Sequence, residues 1–179
     1  FHMCKKQNID LVIMGSNGAN GLKEMLIGSN TEKVVRTSET PVMVIKTEHK
    51  TFKTDHFVFA SDFNDENKKT FEKAMTFANI FGSKVHLLMV NTPTNFITSG
   101  DAEKRMLKFM QAFNFSNYTS NIYNDMSIEQ GIMNFSQSMS ADVIAMSTHG
   151  RQGISHFFNG SVSEDLVNHA KRPVLTFKI

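Results

Sequence analysis

Two stretches of this chain place glycine and serine where a phosphate can be held. In the first, Gly15-Ser16-Asn17-Gly18 is followed after nine residues by Gly28-Ser29. In the second, Ser147-Thr148-His149-Gly150 is followed after nine residues by Gly160-Ser161. Glycine permits positive φ and a close approach of backbone to ligand. Gly-Ser at the start of a helix offers free N–H groups, a hydroxyl and the positive end of the helix dipole, which together suit a phosphate. A single such pair reads more simply as a turn and a cap. The repeated spacing favours the phosphate reading. Arg151 either neutralises phosphate charge or is a solvated loop arginine. His149 has the chemistry of a general base, yet no nucleophile or partner carboxylate stands near it in sequence. Asp62, Asp65 and Glu66 either hold Mg²⁺ through a nucleotide or form a solvated helix start.

These loops need a scaffold, and the repeat around them defines it. Residues 9–46 laid over 141–178, an offset of 132, match without a gap at eleven of 38 positions. The matches include Asp10 with Asp142, Gly18 with Gly150, Gly28 with Gly160, Ser29 with Ser161, Glu32 with Glu164 and Pro41 with Pro173. A repeat unit is therefore about 132 residues long. The expected division is 55–179 as a complete unit and 1–47 as the C-terminal third of another, whose start would lie about 80 residues before Phe1.

In the complete unit, 56–61 reads as an apolar strand and 62–67 as a polar loop. A helix follows to about Phe81, with Phe71, Ala74, Ala78 and Phe81 at helical spacing and Gly82 as its left-handed cap. Strands are expected over 84–90, 118–123, 142–146 and 174–177. Helices are expected over 101–113 and from the capping box of Ser127 and Gln130 to about Met139. A second capping box, Ser161 with Glu164, opens the last helix. The earlier unit contributes a helix end (1–8), a strand (10–14), a helix (31–37) and the strand Val42–Ile45, with 47–54 as a charged joint. Strands alternating with helices imply a parallel sheet covered on both faces.

Composition narrows the partners. Hydrophobic residues make up 40% of the chain, enough for a core, and the net charge is +2. Near-balanced charge gives no case for nucleic acid or an anionic membrane. No apolar run approaches the roughly 20 residues of a membrane-spanning helix, and residues 1–6 lack the order of a signal peptide. Cys4 is the single cysteine, so an internal disulfide is excluded and a reducing, cytoplasmic setting is expected. It reads as a redox thiol or, more simply, as a half-buried helix residue. The seven histidines form no cluster with metal-ligand spacing.

The stretch MGSNGANGLKEMLIGSNTEKVVRTSETPVMVIK, its partner STHGRQGISHFFNGSVSEDLVNHAKRPVLTFK, and FASDFNDEN after the first strand of the complete unit resemble the universal stress protein family. The resemblance implies an α/β fold: an open five-stranded parallel sheet with helices on both faces, Rossmann-like and similar to the adenine-nucleotide alpha-hydrolases. It further implies a ligand crevice at the switch point of the strand order. In nucleotide-binding members the positions of Ala60, Ser61, Asp62 and Val90 hold the adenine. Those of Ser147, His149, Gly150 and Arg151 lie against ribose and phosphates, and Gly160, Ser161 and Val162 bind phosphate. Gly15, Gly18, Gly28 and Ser29 are the matching loop of the earlier copy, whose base-holding strands would precede Phe1. The complete unit departs from the pattern at Ser147, which stands where the first copy has Gly15. A β-carbon and hydroxyl there either crowd a nucleotide or bond to it.

The resemblance also implies pairing through the closing strands, Val42–Ile45 with the run from Val174 to Phe177, within a tandem chain or across a homodimer. The expected function is a regulatory stress-response module that binds ATP, ADP or AMP. Two other functions compete: a nucleotide-independent dimerising interaction module, which Ser147 favours, and a weak ATPase. A Walker loop and a placeable catalytic triad are both missing from the sequence, so the chain reads as no enzyme beyond slow ATP hydrolysis.

Overall fold

The computed structural model describes residues 8–15, 28–47, 51–148 and 160–179. Strand β1 (Val12–Gly15), helix α1 (Ser29–Thr37) and strand β2 (Val42–Ile45) come first. Then follow β3 (His56–Ala60), a 3-10 turn (Asp65–Asn67), α2 (Lys68–Phe81), β4 (Lys84–Asn91), α3 (Ser99–Met110) and β5 (Tyr118–Asn124). The chain closes with α4 (Ile128–Ser138), β6 (Val143–Thr148), α5 (Gly160–His169) and β7 (Val174–Lys178).

All seven strands join one sheet in the order β1-β2-β7-β6-β3-β4-β5. Every pairing is parallel except β2 with β7, where Val42 faces Thr176 and Val44 faces Val174. The sheet is thus longer than the five strands expected for a complete unit. The apolar edge of β7 is paired rather than left open, because β2 supplies a matching apolar run.

Side-chain alternation divides the core in two. Phe57, Phe59, Val85, Leu87 and Met89 face α2 and α3, where Phe71, Ala74, Met106 and Phe109 are buried. Val58, Ala60, Leu88, Val90, Ile144 and Met146 face the opposite layer of α1, α4 and α5, with Val35, Ile132 and Leu166. Phe59, Phe63, Phe71 and Phe109 pack edge to face with centroids 5.1–6.3 Å apart, an arrangement that aromatic quadrupoles favour.

Local chemistry sets the helix ends. Gly82 closes α2 at φ 66°, where a β-carbon would be strained. Ser127 Oγ accepts from the Gln130 N–H at 3.1 Å and opens α4. Four helix boundaries differ from expectation. Helix α3 starts at Ser99 because Thr98 and Asp101 cap it reciprocally: Thr98 Oγ1 accepts from the Asp101 N–H at 3.2 Å and donates to its carboxylate at 2.7 Å. It ends at Met110, three residues before the expected Phe113. Helices α1 and α5 begin at Ser29 and Gly160, and Gly28 is the N-cap of α1. The expected helix end at residues 1–7 lies outside the described residues.

Candidate functional site

Strands β3 and β6 are neighbours, with Ala60 opposite Met146. From β3 the sheet grows one way through β4 and β5 and the other way through β6 and β7. The crevice beyond the carboxyl ends of β3 and β6 is therefore the switch point of the strand order, the usual seat of a ligand in open α/β sheets. Asp62 leaves β3 there and Ser147 lies at the end of β6.

The polypeptide turns sharply to deliver Asp62. Phe63 takes a left-handed conformation at φ 56°, which costs a bulky residue roughly 1–3 kcal/mol. Its buried ring offsets that cost against Phe59 and Phe109. Ser61 fixes the approach: its N–H donates to the Leu88 carbonyl at 3.1 Å, and its Oγ accepts from the Phe63 N–H at 3.0 Å.

The Asp62 carboxylate is 1% exposed and accepts three hydrogen bonds. Oδ1 takes the Asn64 N–H at 3.2 Å and Asn67 Nδ2 at 2.8 Å; Oδ2 takes Asn64 Nδ2 at 2.7 Å. Asn67, fully buried, uses its own Oδ1 to accept the Ser147 hydroxyl at 2.6 Å. A continuous chain Ser147–Asn67–Asp62 thus links the two walls of the crevice. It orients the Asn67 amide unambiguously, since a hydroxyl must donate to its oxygen and a carboxylate must receive its N–H.

The remaining expected site residues divide into three groups. Ala60 and Val90 lie on the same strand ends but pack into the α4 layer. Val90 sits so close to Gly131 that a β-carbon there would come within 2.5 Å of Val90 Cγ1. Gly160 and Ser161 start α5, and Val162 packs half-buried against the core. His149, Gly150, Arg151 and Gly18 lie outside the described residues. Gly15, Gly28 and Ser29 belong elsewhere. Because β2 runs antiparallel to β7 and β1 runs parallel to β2, the carboxyl end of β1 points to the opposite edge of the sheet from those of β3 and β6. The strand ends at Gly15 and Thr148 therefore lie on opposite edges of the sheet. At the β1 end the Gly15 carbonyl accepts from Thr31 Oγ1 at 3.3 Å, and a β-carbon on Gly15 would meet nothing within 4 Å.

Sequence reasoning missed Asn64 and Asn67. The Asp-x-Asn spacing was the available signal, since an aspartate commonly accepts from the backbone two residues on. The acidic run does not gather as a cation site. Asp65 pairs with Lys68 at 2.9 Å, a contact that holds its carboxyl below the usual range. Among the described residues no three His, Cys, Asp or Glu come together. Beyond β4 and β5, on the same edge as Asp62, Asn91, Thr92, Pro93, Phe96, Asn124, Asp125 and Met126 line an open depression of about 570 Å³.

A second polar cluster lies at the other end of these strands. His56 Nδ1 and His86 Nε2 are 3.0 Å apart, and His86 Nδ1 is 2.8 Å from Thr119 Oγ1. Burial, then the neighbouring His56 and Lys84, push the His86 imidazole below its ordinary value.

The sequence pattern described as the Universal stress protein family matches residues 2–46 and 123–178. Over 44 residues the chain is 46% identical to Universal stress protein MJ0577 of Methanocaldococcus jannaschii, covering 25% of this chain and 27% of that protein. Universal stress protein Slr1230 of Synechocystis is 22% identical over 97% of this chain, which spans only 59% of that relative. Among solved structures, a universal stress protein from Archaeoglobus fulgidus superposes with a TM-score of 0.72 at 23% identity, over 99% of this chain and 64% of its own. A universal stress protein solved in complex with cAMP superposes with a TM-score of 0.54 at 15% identity, over 69% of this chain and 95% of its own. These likenesses to solved structures concern the fold. Among the described residues, no helix is long and apolar enough to cross a membrane.

Proposed function

This chain belongs to the universal stress protein family, and from that premise we propose that it is a regulatory module holding an adenine nucleotide between β3 and β6. The observation that carries the reading is the meeting of Asp62 and Ser147 at the switch point, joined through Asn67. Helix α5 begins on the same edge, at Gly160, with the favourable dipole for a phosphate. The cAMP complex of a protein of this fold supports the nucleotide class. In the proposed arrangement the base lies by Asp62 and the end of β4. The phosphates lie by Ser147, His149, Gly150 and Arg151 and the α5 start at Gly160, Ser161 and Val162. Residues 1–47 are read as the last part of a sister domain, with Gly15, Gly18, Gly28 and Ser29 as its own separate phosphate loop. The proposed setting is the cytoplasm, with no conspicuous catalysis beyond slow hydrolysis and Mg²⁺ entering only with a nucleotide.

The test is direct. Small molecules released from the purified protein are identified by mass spectrometry, and ATP, ADP, AMP and cAMP are titrated by calorimetry. Recovery of an adenine nucleotide near one per chain, or saturable binding, is expected. No recovery and no binding at millimolar concentration would overturn the reading. The second reading, a nucleotide-independent interaction module, is favoured by the internal hydrogen bonds that Asn64 and Asn67 give Asp62 and would then take its place.

A further inference from the structure

The helical layer over β6 has an opening. Between α4 and the end of α5 a pocket of about 520 Å³ reaches down to Ile144 of β6. Its rim is polar. Gln130, Asn134 and Gln137 come from one face of α4, at i, i+4 and i+7. His169, Lys171 and Arg172 come from the end of α5 and the turn before β7. Among the described residues, no carboxylate lines the pocket. His169 Nδ1 lies 2.6 Å from Glu129 Oε1, whereas no carboxylate of the described residues pairs with Lys171 or Arg172. Arg172 is held in place: its Nε donates to the Ala141 carbonyl at 2.5 Å. That bond leaves the edge carrying both Nη groups, which fits a carboxylate bidentately. A guanidinium already fixed loses little freedom on binding. The amides are oriented as well. Asp125 Oδ2 accepts from Asn134 Nδ2 at 2.8 Å, so Asn134 Oδ1 takes Gln130 Nε2 at 3.0 Å. Gln130 Oε1 is thereby left as an acceptor for an incoming hydroxyl.

We infer that this pocket binds a small hydroxylated carboxylate of the sugar-acid class, with Arg172 and Lys171 on the carboxylate and Gln130 and Gln137 on the hydroxyls. The position in the fold favours a monoanion over a phosphate dianion. The pocket lies at the C-terminal end of α5, the negative end of the helix dipole, and one guanidinium edge matches one carboxylate. The first unit moderates the negative end: Lys46 donates to the Asn168 carbonyl, and Thr47 Oγ1 donates to the Lys171 carbonyl at 3.4 Å. No residue of this pocket belongs to the crevice between β3 and β6, so the inference stands apart from the nucleotide reading.

Three probes separate the two features of the ligand. Gluconate carries the charge and the hydroxyls, acetate only the charge, and glucose only the hydroxyls. Calorimetry on the full chain is expected to show saturable gluconate binding, about tenfold or more tighter than that of acetate or glucose. Lys171→Gln, a change at an exposed position, is expected to weaken gluconate about 3- to 10-fold, and Arg172→Gln about tenfold or more. Circular dichroism melts check folding, and Lys171→Gln is decisive should Arg172→Gln fail to fold. In the ¹⁵N spectrum the backbone amides of Ala170, Lys171 and Arg172 are expected to shift on titration with gluconate, while those of Ser61, Asp62 and Asn67 stay in place. Gluconate affinity no better than that of acetate or glucose, equal gluconate affinity in Lys171→Gln and wild type, or shifts confined to the crevice would overturn the inference. Gluconate that fails to bind at millimolar concentration would do the same, whatever the outcome with adenine nucleotides.

Discussion

Ser147 is buried, and its hydroxyl has a defined partner in Asn67. The departure from glycine at this position is therefore part of a network rather than a tolerated intrusion. Removing the hydroxyl leaves the Asn67 oxygen buried without a donor, which costs about 1–3 kcal/mol. Ser147→Ala is accordingly expected to lose that much stability in urea unfolding, with an unchanged m-value. A loss within a few tenths of a kcal/mol would mean that the hydrogen bond contributes nothing. Phe63 shows the same logic in the backbone. Its left-handed φ stores strain next to the candidate site, and the aromatic cluster on α2 and α3 holds it there.

At the level of elements, β3, β4 and β5 are tied at both ends. Their carboxyl ends carry the candidate site and depression; their amino ends carry His56, His86 and Thr119 in a row across three strands. Near this row stand Lys84 on β4 and Asp142, whose Oδ2 accepts from the His56 backbone N–H at 2.9 Å before β6 begins. His86 is 1% exposed and its imidazole is pushed below the ordinary value of 6.5, first by burial, then by His56 and Lys84. The unfolded chain therefore binds a proton at a higher pH than the folded one does. Stability from this group is complete above pH 6.5 and falls as pH drops below it, until the folded imidazole itself is protonated. The expected result is a difference between wild type and His86→Gln in the slope of unfolding free energy between pH 7 and about pH 5. Parallel curves would show that His86 is not the group responsible.

For the whole molecule, the antiparallel meeting of β2 and β7 is decisive. It joins β1, α1 and β2 to the other five strands as one sheet and sets the carboxyl ends of β1 and β6 on opposite edges. Lys46 at the end of β2 reinforces the joint by donating to the Asn168 carbonyl of α5, and burial lowers its ammonium pKa. Arg36 of α1 reaches Glu164 of α5 at 3.9 Å, where burial and Glu32 raise the Glu164 carboxyl. Val44 and Val174 face each other in the joint, each 1% exposed. Val44→Asp places an unpaired charge there, at a cost of about 3 kcal/mol or more. Limited proteolysis is expected to cut the variant within residues 47–54 while a fragment carrying β3 to β7 survives. Equal resistance of variant and wild type would show that the joint does not hold the first unit in place.

Local signals in the chain were enough for much of this protein. Apolar periodicity marked the strands and helices, and Gly82 and the Ser127–Gln130 pair marked helix ends. Each of these depends on residues within a few positions of one another, so the order of amino acids carries it directly. Asn67 was in view but had no assigned role, because what gives it one is Ser147, some 80 residues away and next to it only once β6 lies beside β3. The same holds for His56 and His86, which pair only through the register of β3 with β4. The opposite direction of β1 and β6 likewise follows from the way in which β2 meets β7. Pairing across long stretches of chain is a property of the packed sheet, and only the tertiary structure decides it.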